Sequence, residues 1–293
     1  MKFLIWSTVV CFVSFTLSGI FYGYADFTGL TQDFQSEKYN FQYSSDRSNK
    51  EYGEKIESFD ANQIEKIKVN SSISEVTLRS GNIKKIRIKV KFLNEDVEKT
   101  YKSELINGVL KIETGVDAEN QSFSTFFGNN KNGCKIQVTV PMDLVLDYDF
   151  KLALGALDIE ELKIGNFRAK LAAGNIEVED VDFKSVVIKA AAGNIELESV
   201  RVAETMEINA AAGNVEVKLS QAAPHLEINA AAGNVEISFT SGVKPDLVLN
   251  SLSTVGELLV RKDFKKQEGD TYIFGEGKGK VEIKSTFGSV KFK

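Results

Sequence analysis

Lys170-Leu-Ala-Ala-Gly-Asn-Ile-Glu-Val178, Lys189-Ala-Ala-Ala-Gly-Asn-Ile-Glu-Leu197, Asn209-Ala-Ala-Ala-Gly-Asn-Val-Glu-Val217 and Asn229-Ala-Ala-Ala-Gly-Asn-Val-Glu-Ile237 are four copies of one phrase. Their glycines, Gly174, Gly193, Gly213 and Gly233, stand 19, 20 and 20 residues apart, and a degenerate copy around Gly155 precedes them by a further 19. Gly256 and Gly288 anchor later copies at longer spacings. A fixed period near 20 residues marks a solenoid, in which each repeat is one small unit that buries its apolar face only against its neighbours.

The positions within each copy have distinct chemistry. Two and four residues after the glycine come Leu157/Ile159, Ile176/Val178, Ile195/Leu197, Val215/Val217 and Val235/Ile237. Seven and five before it come Tyr148/Phe150, Val186/Ile188, Met206/Ile208 and Leu226/Ile228. Apolar residues two apart, alternating with polar ones, are the period of a half-buried strand. Each copy therefore reads as two short strands joined at an Ala-Ala-Gly corner, and five to seven such coils stack in parallel at a spacing of about 4.8 Å.

Three further columns face away from the core. Asn175, Asn194, Asn214 and Asn234 sit beside the corner, where stacked amides satisfy turn groups left unpaired by the strand ladders and form a structural ladder. Asp158, Glu177, Glu196, Glu216 and Glu236 form an outward acidic file, the candidate interaction face. Lys151, Lys170, Lys189, Asn209 and Asn229 form a second outward file, four residues before the glycine. Like charges opposite one another in adjacent strands repel, so the acidic file is either a solvated face or a surface for cations or a basic partner.

Working outward, residues 61–150 read as a β-rich opening. Ile67/Val69, Val76/Leu78 and Ile86/Ile88/Val90/Phe92 alternate, and Asn107-Gly108 is a type I′ hairpin signal. Residues 94–102 suit a short helix, and residues 120–133 a long surface loop. Pro141 stops a strand that begins near Lys135. The glycines of Gly275-Glu-Gly-Lys-Gly279 suit a hairpin turn. The coils occupy residues 151–293, with irregular copies at the end and a cap suggested by the basic run from Arg261 to Lys266. Residues 26–60 are polar with scattered aromatics and read as a tether. Residues 3–25 carry no charge and follow Lys2, which suits a cleaved signal peptide or an N-terminal membrane anchor. Either one exports the body of the protein, leaving it anchored outside the cytoplasm or free in the periplasm or the medium.

Composition narrows the function. Of 293 residues, 43% are hydrophobic and 26% charged, which fits a folded chain, and a net charge of −5 with interspersed signs disfavours nucleic acid as a partner. Of the two cysteines, Cys11 lies in the apolar run and Cys134 beside a strand, where a buried core thiol is expected. His225 is the single histidine, so the common zinc sets and a supported Ser-His-Asp assembly are missing. No Walker spacing accompanies the glycines near Gly275. The expectation is a non-enzyme with no cofactor and no metal site.

Residues 64–78 as opening strands, Lys135-Ile-Gln-Val-Thr-Val-Pro141 leading into residues 144–155, and the serial Gly-Asn-[Ile/Val]-Glu coils together resemble the bacterial adhesin-like (toast-rack) family of domains of unknown function, over about residues 61–293. The resemblance implies an all-β parallel β-solenoid on a cell-envelope protein, and it implies no catalytic residue. The leading expectation is an exported adhesin-like binding or scaffold protein whose partner is an envelope protein or glycan, with possible membrane attachment through residues 3–25. Alternatives are a self-assembling solenoid similar to bactofilin filaments and, behind it, a β-helix carbohydrate-active enzyme.

Overall fold

The computed structural model describes residues 52–93, 95–115, 133–221 and 225–293, the side chains of 253 and 254 excepted. The expected signal or anchor, most of the tether, nearly all of the loop at 120–133 and Pro224 lie outside the described residues. The strands are β1 (Glu54–Asp60), β2 (Lys66–Gly81), β3 (Lys85–Phe92), β4 (Lys102–Ile106), β5 (Val109–Thr114), β6 (Cys134–Pro141), β7 (Leu146–Glu160), β8 (Lys163–Glu179), β9 (Asp182–Ala192) and β10 (Ile195–Ala212). They continue as β11 (Val215–Leu219), β12 (His225–Ala232), β13 (Val235–Phe239), β14 (Leu247–Val255), β15 (Leu258–Val260), β16 (Lys265–Lys266), β17 (Thr271–Phe274), β18 (Gly279–Phe287) and β19 (Val290–Phe292). One short helix, α1 (Glu95–Thr100), lies where the sequence predicts it.

The repeats stack as parallel rungs in the register their phrases dictate. Gly155 pairs with Gly174, and Ile176 lies against Ile195, Ile195 against Val215, and Val215 against Val235. The all-β parallel solenoid is therefore the fold, and its inward side chains form one continuous core. Aromatics fill part of it, with Phe150, Phe167 and Phe183 in successive rungs at centroid separations of 5.9 and 5.4 Å. Tyr148 is buried beside them, and its hydroxyl has no hydrogen-bond partner among the described residues. Burying an unpaired hydroxyl is unfavourable by about 1–3 kcal/mol. Tyr148→Phe is accordingly expected to raise stability by about 1 kcal/mol in urea unfolding; a loss of stability would reveal a partner for the hydroxyl.

Three sequence expectations need correction. The coils begin well before residue 151: β2 runs parallel to β7 in unbroken register from Lys66↔Asp147 to Val69↔Phe150, and its other edge carries β5 and β6 as a further rung. The end of the expected tether is ordered, since β1 adds to β3 as an antiparallel strand. Glu57 on β1 accepts hydrogen bonds from the hydroxyls of Tyr101 (2.5 Å) and Ser103 (2.6 Å). Burial opposes its charge, but these bonds and Lys55 prevail and hold the carboxyl below the usual range.

The third correction concerns the C-terminal coils, which do not follow in chain order. β18 and β19 pair with β12 and β13 on one side and with β14 and β15 on the other. The last segment of the chain is thus inserted inside the stack, and β14 and β15 form the outermost rung. Nine rungs are present among the described residues, against the five to seven expected. β17 pairs with the opposite edge of β14 from β18, so the glycine-rich turn at 275–279 crosses over β14 instead of closing a hairpin. Its amides are already used: Glu276, Gly277 and Lys278 donate to Asp246 Oδ1 at 2.7, 2.6 and 3.3 Å.

Aromatic residues close both ends. Phe92 and Tyr101 meet edge-to-face at 5.5 Å at one end. At the other, Phe264, within the basic run read as a cap, lies 5.1 Å from both Phe274 and Phe292. Asn107 and Gly108 take the positive φ values of 49° and 78° that their hairpin requires.

Candidate functional site

Because strands alternate, the second strand of each rung turns every other residue outward, and the in-register stack aligns these into files. Asp158 opposes Glu177, Glu177 opposes Glu196, Glu196 opposes Glu216 and Glu216 opposes Glu236. The five backbone positions are therefore about 4.8 Å apart from rung to rung. Glu236 is the member that forms ion pairs among the described residues, with Lys291 at 3.5 Å and with Lys293. The Lys293 hydrogen bond chiefly holds its carboxyl below the usual range.

A second acidic file two residues further on escaped the sequence reading, although the same alternation contains it. Glu160 opposes Glu179, and Glu179 opposes Glu198. Lys218 bonds Glu198 at 2.6 Å and is raised above the ordinary lysine range chiefly by that contact. Beyond this file lie the stacked turns between rungs. There Glu161, Asp180 and Ser199 hold positive φ values of 52°, 52° and 57°. With Ser80, Lys163, Asp182 and Arg201 they line a shallow groove of about 490 Å³ and mixed charge.

The other outward surface has the opposite sign in the same rungs. Lys151, Lys170 and Lys189 are register partners. Burial first, and then the neighbouring Lys189, lower the Lys170 ammonium below its ordinary range. In the rung after Lys189 the file changes to asparagine, where Asn229 donates to Asn209 Oδ1 at 3.0 Å and like-charge repulsion disappears.

The asparagines beside the corner are bonded in a specific way. Each side-chain oxygen accepts the backbone N–H of its counterpart in the next rung: Asn175 from Asn194 (3.1 Å), Asn194 from Asn214 (3.1 Å), Asn214 from Asn234 (3.0 Å) and Asn234 from Ser289 (3.0 Å). These side chains are exposed but engaged in holding the rungs, and belong to the scaffold beside the acidic surface.

Two chemically reactive groups occupy defined places. Cys134 is buried, and desolvation pushes its thiol up to about 11, which keeps it protonated and unreactive near neutrality. His225 has company that chain order conceals: the inserted β18 brings Glu282 beside it and Glu227, with one donor atom from each within 4.8 Å of the others. Those carboxylates already have partners. Lys280 lies 2.9 Å from Glu282, Lys284 lies 4.0 Å from Glu227, and Asn229 donates to Glu227 at 3.1 Å.

A parallel solenoid with a glycine-asparagine corner repeated in every central rung is now defined, and the sequence signature of the Toastrack DUF4097 family matches residues 147–293. The chain belongs to the Toastrack DUF4097 family. The match begins at β7, so the rungs that precede β7 lie outside it. Among curated proteins none matches this Toastrack chain. It is similar to a solved candidate cell adhesion protein from Clostridium sporogenes, with 17% identity, a TM-score of 0.33, and coverage of 82% of this chain and 98% of the other. A candidate adhesin from Bacteroides fragilis has 11% identity and a TM-score of 0.42, covering 82% and 97%. A candidate lipid-binding protein from Parabacteroides distasonis has 14% identity and a TM-score of 0.38, covering 82% and 94%. No helix among the described residues is long and apolar enough to cross a membrane.

Proposed function

We propose that this protein is an exported, non-enzymatic binding scaffold of the bacterial cell envelope, which presents its acidic files to a cationic surface of an envelope protein. The observation that supports this reading is the register of Asp158, Glu177, Glu196, Glu216 and Glu236 on consecutive rungs, continued by Glu160, Glu179 and Glu198. Repulsion within such a file opposes folding, and a cationic partner relieves it on binding. The uncharged run at residues 3–25 supports export, and membership of the Toastrack family is compatible with an envelope role.

The test is binding of the full-length protein to intact cells and isolated envelopes across a salt series. Replacing Glu177, Glu196 and Glu216 together with Gln is expected to weaken binding at least ~10-fold and to flatten its salt dependence, because charge pairs at an interface are screened by salt. The same variant is expected to unfold no more easily than the parent. Equal binding by parent and variant would remove the acidic face from the function, and binding to purified glycan alone would replace the protein partner with a sugar.

A further inference from the structure

The two ends of the stack are finished differently. At the N-terminal end β5 is covered by β4, β6 by β3, and β3 in turn by β1. At the C-terminal end β17 covers β14 from Leu247 to Asn250, and beyond that point no described strand follows. β15 is paired on one side, with β19. The bonds between them run from Val290 N–H to Glu257 O (2.9 Å) and from Arg261 N–H to Phe292 O (3.0 Å). Alternate residues of a strand address a given neighbour, so Glu257, Leu259 and Arg261 turn their backbone groups to β19. The N–H and C=O groups of Leu258 and Val260 point the other way, along an edge that no described strand covers.

This edge is also apolar. Val255, Leu259 and Phe287 are 54%, 44% and 40% exposed, while Leu252, at 59%, stands in file with Lys284 on the other outward surface. Val255 and Phe287 are register partners on adjacent rungs. The other large apolar residues that are exposed, Ile56, Ile106, Met142 and Val145, belong to β1, β4 and the turn after β6. A bare strand edge with an apolar margin is a template for another strand.

We infer that this edge pairs with the same edge of a second copy of the chain, antiparallel, about a two-fold axis through Leu259. The backbone and the charges both fit that operator. With Leu259 opposite its own copy, Leu258 faces Val260 of the other chain, and the outward groups of these residues exchange four N–H···O bonds. Leu259 and its copy form the non-hydrogen-bonded pair in the middle, where side chains approach most closely. Glu257 then lies opposite Arg261 of the other chain, twice over, so the edge is electrostatically complementary to itself. Arg261 keeps a doubly bonded partner in Asp263, at 2.6 and 2.5 Å, which fixes its guanidinium. An isologous contact closes on itself, so the product is a dimer and not a fibre. A short strand pair with so few apolar side chains belongs among the small, reversible interfaces.

The test uses the full-length chain in mild detergent, in a Cys11→Ser background, with mass followed by light scattering and by sedimentation. Leu259→Cys is expected to form a disulfide-linked dimer under mild oxidation, since the central pair brings its Cα atoms to roughly 4.5 Å, within disulfide range. Met142→Cys, more exposed (58% against 44%) but on another surface, is expected to remain monomeric on non-reducing gels. Glu257→Arg and Arg261→Glu are each expected to raise the dissociation constant at least ~10-fold, through two like-charged pairs per dimer. An equimolar mixture of these two variants restores opposite charges at both positions and is expected to recover the dimer as a heterodimer. A chain that stays monomeric at high concentration, a dimer indifferent to both reversals, or cross-linking of the Leu259→Cys variant to some other protein overturns the inference.

Discussion

Gly193→Ala is expected to destabilise the protein by more than about 4 kcal/mol, an effect reserved for a short list of severe mechanisms. Gly193 has a φ of 125°, which an alanine adopts only under strain. A Cβ placed there would lie 1.7 Å from the carbonyl oxygen of Gly174 and 2.6 Å from its carbonyl carbon. Both contacts are with backbone that belongs to the neighbouring ladder, so relief requires two rungs to separate. The same column continues in both directions: Gly174 meets Gly155, Gly213 meets Gly193, Gly233 meets Gly213 and Gly288 meets Gly233, all with oxygens within 1.9 Å. Gly242→Ala separates the two contributions, because Gly242 has a φ of 88° with nothing within 4 Å of its would-be Cβ. That variant carries only the dihedral penalty, about 1–2 kcal/mol. Urea unfolding of the two variants beside the parent gives the comparison. Equal losses at Gly193 and Gly242 would show that the rungs have room to part, and that the glycine column answers to backbone dihedral alone.

That column shows how far the sequence could be read. The period placed Gly155 to Gly233 at a corner, and the alternation around them placed Ile176, Ile195, Val215 and Val235 in the core, because strand geometry alone assigns every second residue to one side. The reason for glycine was only half visible. Turn geometry is local, whereas the contact between one glycine and the carbonyl of the next rung depends on stacking. The acidic file was legible for the same local reason as the core, and Glu160, Glu179 and Glu198 were missed although they obey the same rule. β1 was read as tether because an edge strand with five charged or polar residues in Glu54–Asp60 carries little apolar signal; its anchor is the polar contact of Glu57 with Tyr101 and Ser103. The company of His225 was illegible, since Glu282 reaches it only through the insertion of β18 between β12 and β14. Pairing order between distant segments leaves no periodic trace.

That insertion also makes residues 279–293 an interior rung, not a dispensable end. In a solenoid stacked in chain order, removing the last coil trims one end and leaves the remaining interfaces intact, because each rung contacts only its neighbours. Removal of residues 279–293 here extracts an interior rung. It takes away Val281, Ile283, Val290 and Phe292, each at most 1% exposed. At about 1.5–3 kcal/mol for each fully buried side chain, the loss is on the order of 6–12 kcal/mol, comparable with the stability of an entire domain. It also deprives Phe264 of its contact with Phe292, and strips the acceptors on Phe287 and Ser289 from the amides of Gly233 and Val235. β14 and β15 then have no parallel neighbour, and β12 and β13 become a raw end. The expected result in hydrogen exchange is loss of protection throughout residues 247–278 and partial loss in β12 and β13, which keep only β10 and β11, while β2, β7, β8 and β9 stay protected on their own neighbours. Retained protection in Leu247–Val255 would mean that the outer rung can dock directly on β12 and β13. The order of the rungs would then be a matter of chain routing, and not the source of stability at this end.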